Sequence, residues 1–220
     1  MGRIAKRWLL GGMLLVALLL AGCADDGDLV IVHEGMVGIV DHPEEIQTAP
    51  LLTIDYAMPG VTRTLTLSIF SDQPSGGDIA FDPVRGAYTL TQGASGLLFG
   101  VDRLDAHRPE FRAFLDFPLD GATGGPILPL EAVIVSASLN ITVEFVDFAP
   151  RVPVLLDLVR YPVSSGLSAA DFAAAPLARV VFDILDVDAG RELRVDVTAL
   201  VREAQRRGLA DVQLRFALAR

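Results

Sequence analysis

Apolar and polar residues alternate along most of this chain with a period of two, the spacing of strands that bury one face. The longest run puts Val133, Val135, Ala137, Leu139, Ile141, Val143 and Phe145 on one side and Ile134, Ser136, Ser138, Asn140, Thr142 and Glu144 on the other. At about 3.3 Å per residue this run exceeds an ordinary strand, so a bend or bulge is expected within it. Further strands are expected over 50–56, 61–70, 88–91, 97–102, 111–117, 154–160, 180–185, 192–197 and 212–218, separated by turn clusters such as 72–77 and 120–126. Two short helices interrupt the pattern. One covers 168–174, capped by Ser168 and stopped before Pro176; the other covers 198–207, with Thr198 as N-cap and Gly208 as its end. Many antiparallel strands with few helices predict an all-β fold, an antiparallel, jelly-roll-like β-sandwich, with a barrel as the alternative.

The first residues follow another pattern. Arg3, Lys6 and Arg7 precede an apolar run over 8–20, shorter than the roughly 20 residues a membrane span requires. The run ends in Leu20-Ala21-Gly22-Cys23 and gives way to Asp25, Asp26 and Asp28. These residues resemble the signal peptide and lipobox of bacterial lipoproteins. The resemblance implies that 1–22 are removed and that the Cys23 thiol takes a diacylglycerol. Its new amine is then acylated, palmitate being one such chain, and 23–28 form a short tether to a single domain over 29–220. Two or more acyl chains hold a protein stably on a membrane. Ala24 stands where an aspartate would signal inner-membrane retention, which favours the outer membrane within the cell envelope. Cys23 is the only cysteine, so the domain has no internal disulfide and relies on its core.

Processing would leave 15 cations, all arginine, against 28 acids, a net charge of −13. Such a surface repels nucleic acid and anionic head groups and keeps an exported domain soluble. Nucleic acid is therefore not an expected partner.

The order Leu98-Phe99-Gly100-Val101-Asp102, Arg112-Ala113-Phe114-Leu115-Asp116-Phe117 and Ile134-Val135-Ser136-Ala137-Ser138-Leu139 resembles the DNRLRE-type jelly-roll modules of secreted and surface proteins. Arg194-Val195-Asp196-Val197-Thr198-Ala199-Leu200-Val201 is similar to that family's strand leading into a capped helix. The resemblance covers roughly 78–216, lacks the family's naming motif, and implies a non-catalytic module, some relatives of which bind polysaccharide. The family's closing strand, a proline followed by alternating apolar residues and a tyrosine, finds its match near the beginning, in Pro50-Leu51-Leu52-Thr53-Ile54-Asp55-Tyr56. This segment is expected to occupy the last strand's slot, beside a neighbour of 212–218 or 111–117.

Catalytic constellations are scarce. His33-Glu34 begins like a zinc-protease helix, but Val37 stands where the second histidine belongs, and Gly35 and Gly38 oppose a helix. Ser95 lacks the spacing of a nucleophile elbow. An enzyme is not expected. The metal candidate is Asp183, Asp186 and Asp188 before Gly190, whose carboxylates could join a calcium shell, although aspartates are also ordinary turn formers. For a glycan, Phe114 between Arg112 and Asp116 is the one aromatic that alternation places on an outer face; these three are the candidate contact residues. The first reading is a lipid-anchored, non-catalytic envelope protein presenting a sandwich surface for structural, adhesion or assembly interactions with a protein or glycan partner, and the alternative is a carbohydrate-binding module.

Overall fold

The alternating segments become strands wherever a hydrophobic face can be buried against a second layer. The computed structural model describes residues 34–41, 49–122 and 127–219, and these contain twelve strands and two α-helices. The strands are β1 (Met36–Val40), β2 (Leu51–Ala57), β3 (Leu65–Phe70), β4 (Gly77–Asp82), β5 (Ala87–Gln92), β6 (Gly96–Val101), β7 (Glu110–Pro118), β8 (Val133–Asp147), β9 (Arg151–Val159), β10 (Ala178–Leu185), β11 (Arg191–Asp196) and β12 (Asp211–Leu218). Helix α1 (Ala169–Phe172) lies between β9 and β10, and α2 (Thr198–Arg206) between β11 and β12. Every pairing is antiparallel.

The sheet is continuous and curls on itself, giving the sandwich-like all-β fold. One half runs β10-β9-β12-β7, with β4 and β5 beyond β7; the other holds β8 with β11 on one edge and β2 then β3 on the other. Strand β1 joins the halves, pairing with both β6 and β8. The main core lies between them and includes Val37, Ile39, Leu52, Phe99, Leu139 and Phe216, with Leu200, Val201 and Ala204 of α2 packed against it.

Strand β8 has two irregularities, as its length requires. Its register with β2 skips Val135, and its register with β1 skips Glu144. Each bulge shifts the alternation by one residue, so the inward positions are Ile134, then Ala137, Leu139, Ile141 and Val143, then Val146. Val133 and Val135, inward by simple alternation, are consequently exposed.

Three expectations are corrected. Strand β2 pairs with β3 and β8, neither of which pairs with β12 or β7, so Pro50 to Tyr56 does not fill the closing-strand slot. Thr198 is the first residue of α2, and Val197 is the N-cap. The Thr198 hydroxyl instead donates to Asp196 Oδ1 at 2.6 Å and accepts the Ala137 N–H at 2.9 Å, tying α2 to β8. Strands β1 and β4 also lie where only loops were expected.

Candidate functional site

Alternation along β7 does divide its residues as expected: Ala113, Leu115 and Phe117 enter the main core, and Arg112, Phe114 and Asp116 point to the opposite face. That face is not open. The crossover from β9 to β10, residues 160–177, lies across it and carries α1. Phe114 is 0% exposed, edge-on to Tyr161 at 5.9 Å, in a small second core with Ile79, Val159, Leu167 and Phe172. It therefore offers no ring to a glycan. Asp116 is 1% exposed on the same face, where its carbonyl accepts the Asp72 N–H at 2.8 Å. The Arg112 guanidinium stacks 4.0 Å above the Phe172 ring, donates to the Phe172 carbonyl at 2.5 Å and pairs with Glu110 at 2.8 Å. Phe114 and Arg112 are thus structural contacts of the crossover, and Asp116 is buried on the same face.

Backbone carbonyls of the crossover are held by side chains rising from the sheet. Arg215 of β12 donates to the carbonyls of Asp171 and Phe172 at 3.0 and 2.9 Å, and to Asp157 at 2.7 Å. Arg179 of β10 adds bonds to Asp157 at 2.5 and 3.1 Å. Burial opposes ionisation of Asp157, but the bonds from the two arginines outweigh it and hold the carboxyl below its usual range. Gln213 reads the Tyr161 peptide at both ends, accepting its N–H at 2.8 Å and donating to its carbonyl at 3.0 Å. Ser168 is the N-cap residue of α1 as expected, and its N–H and hydroxyl both donate to the Asp171 carboxylate, at 2.8 and 2.7 Å.

The proposed calcium residues do not converge. Asp183 pairs with Arg151 at 2.8 Å, and Asp188 accepts the Leu185 N–H at 2.8 Å in a single 3₁₀ turn. Among the described residues, no three His, Cys, Asp or Glu side chains gather as a metal site. Cys23 and the rest of the export signal lie outside the described residues, and no described helix is long and apolar enough to cross a membrane. His107 meets Asp82 at 2.8 Å, a pair that alternation could not reveal because it joins two turns 25 residues apart. The same carboxylate accepts the Val84 and Arg85 N–H groups, so its geometry is that of a turn clasp.

Among the described residues the surface holds a cleft of about 700 Å³ between 160–163 and 207–213 and two smaller grooves. An apolar groove of about 280 Å³ sits between the segment after β7 and the turn from α2 to β12. It is lined by Leu119, Ile127, Leu128, Pro129 and Leu209, with Leu130 95% exposed at its lip and Ile127 65% exposed. The sequence hint was Ile127-Leu128-Pro129-Leu130, an apolar run with no alternation to bury it. The second surface is a polar groove of about 360 Å³ on the outer face of β2, β8 and β11, lined by Thr53, Asp55, Ser136, Ser138, Arg194 and Asp196. Hydrogen bonds from Thr66 at 2.7 Å and Ser136 at 2.9 Å hold the Asp55 carboxyl below its usual range.

No family model, curated protein or solved structure matches the chain.

Proposed function

We propose that this chain is a non-catalytic lipoprotein of the bacterial cell envelope, anchored by acyl chains on Cys23, that presents the apolar groove to a protein partner. The observation that carries the reading is the exposure of Leu130 and Ile127 beside an apolar concavity, an arrangement more typical of interfaces than of monomer surfaces. Its position supports the reading. The described chain enters at Glu34, which pairs with Arg108 beside the start of β7, whereas the groove follows the far end of that nine-residue strand, roughly 30 Å away. A domain tethered through its N-terminus would hold the groove away from its point of attachment. The outer membrane is the favoured site, on Ala24 beside the acylated cysteine.

A photo-crosslinking residue at position 130 in intact cells is expected to give a discrete protein adduct. The same residue at Leu104, which is 86% exposed at the opposite end of β7, is expected to give none. Equal adducts from both positions, or none from 130, would contradict the proposal.

The polar groove favours a second reading, a carbohydrate-binding module. Hydroxyls, carboxylates and the exposed Arg194 suit sugar hydroxyls, although the groove has no aromatic face. A glycan array probed with the wild type and Arg194→Ala separates the two: reproducible binding lost in the variant selects the glycan.

A further inference from the structure

Asp116 is buried with little compensation. It is 1% exposed, and neither carboxylate oxygen has a hydrogen-bond partner among the described residues. The groups around it come from each element packed there: Asp72 after β3, Asp120 after β7, Asp211 and Gln213 on β12, and Tyr161 on the crossover, with Asp171 of α1 beyond the Tyr161 ring. No arginine or histidine is among them. Gln213 lies opposite Asp116 in the β7–β12 register, and its amide, shared with the Tyr161 peptide, favours the ionised carboxyl but is outweighed by burial and the neighbouring acids. The Tyr161 hydroxyl donates away, to the Ser75 carbonyl at 3.2 Å. An ionised carboxylate buried among acids is strongly disfavoured, so packing of the Tyr161 end of the crossover beside this site favours a proton on Asp116.

We propose that the crossover 160–177 is a proton-gated lid, closed at its Tyr161 end when Asp116 is protonated and lifted there when Asp116 ionises, which uncovers Phe114 and Tyr161 as an aromatic surface.

The two ends of the lid are held differently. At α1 the anchors are Arg112 and Arg215 on backbone carbonyls, and guanidinium groups keep their charge throughout the accessible pH range. At Tyr161 the anchors are the Gln213 amide beside Asp116 and the hydroxyl's bond to the Ser75 carbonyl. Burial, reinforced by the charges of Asp211, Asp72 and Asp120, pushes the Asp116 carboxyl up to about 7. Its folded value thus exceeds the unfolded one, so the lid's closure is fully supported below about pH 4 and loses support as pH rises, levelling off above about 7.

Hydrogen exchange on the full chain tests this, with rates corrected for intrinsic exchange, for wild type and Asp116→Asn at about pH 5.5 and about pH 8.5. In the wild type, amides of 160–167 are expected to lose protection by about tenfold or more at the higher pH while those of 111–117 hold. Asp116→Asn is expected to keep the lid protected at both. The proposal is overturned by pH-independent protection in the wild type, by a pH response that persists in Asp116→Asn, or by equal loss across β7, which would be loosening of the whole fold. Should Asp116→Asn fail to fold, Asp211→Asn gives an independent reading. Removing that neighbouring charge should move the lid's transition to lower pH, and an unmoved midpoint contradicts the proposal.

Discussion

Asp157→Ala is expected to lower the urea midpoint sharply, a loss of about 3–5 kcal/mol. The Asp157 side chain is 1% exposed and bridges Arg179 of β10 to Arg215 of β12, and Arg215 is itself only 3% exposed. Removing the carboxylate leaves a guanidinium in the second core with no counter-charge from Asp157. That penalty, rather than the attraction in the intact pair, dominates the expected cost. The comparison that isolates it is Asp157→Leu combined with Arg215→Met, which removes both charges and is expected to recover much of the loss. An Asp157→Ala midpoint equal to wild type would mean that the network does not hold the crossover in place.

Gly100→Ala is the second large effect, expected at about 3 kcal/mol or more. Gly100 has φ +117, a region that strains any residue with a Cβ. It also pairs with Met36, so an added Cβ would press on the Gly35 carbonyl and come within 2.8 Å of Met36 Cα. Both are backbone atoms of the segment that enters β1 and cannot rotate aside. Because β1 pairs with both β6 and β8, displacing it opens the joint between the two halves of the sheet. Denaturant titration and exchange protection over Met36–Val40 should fall together. A fully protected β1 in the variant would contradict this account of the joint.

Strand positions were legible in the sequence where apolar residues alternate with polar ones, even where, as in β7 and β12, the polar face is itself covered. β7, β8, β9, β11 and β12 all carry that alternation, and the length of β8 announced its bulges. The phase of β8 after each bulge was not legible, because an inserted residue moves every later side chain to the other face and leaves no local mark. Strand β1 was hidden for a different reason: Met36-Val37-Gly38-Ile39-Val40 is buried on both faces and does not alternate. Strand β4 follows a Gly-Gly turn cluster and has Asp78 buried at 3%, which reads as loop composition. On the outer face of β7, alternation placed Phe114 correctly, but a period of two says nothing about a crossover from β9 that covers it. The same period cannot show that Arg112 meets the crossover at Phe172. The aspartates 183, 186 and 188 share a neighbourhood in sequence, yet the end of β10 turns them to separate partners. The apolar groove was marked only by the unpaired run from Ile127 to Leu130.

The anchor is the premise behind the assignment to the envelope, and mass spectrometry of the N-terminal peptide from the native host tests it directly. The account predicts a chain beginning at Cys23 with a diacylglyceryl thioether on its sulfur and an acylated amine. A peptide beginning at Met1, or an unmodified thiol at position 23, would contradict it.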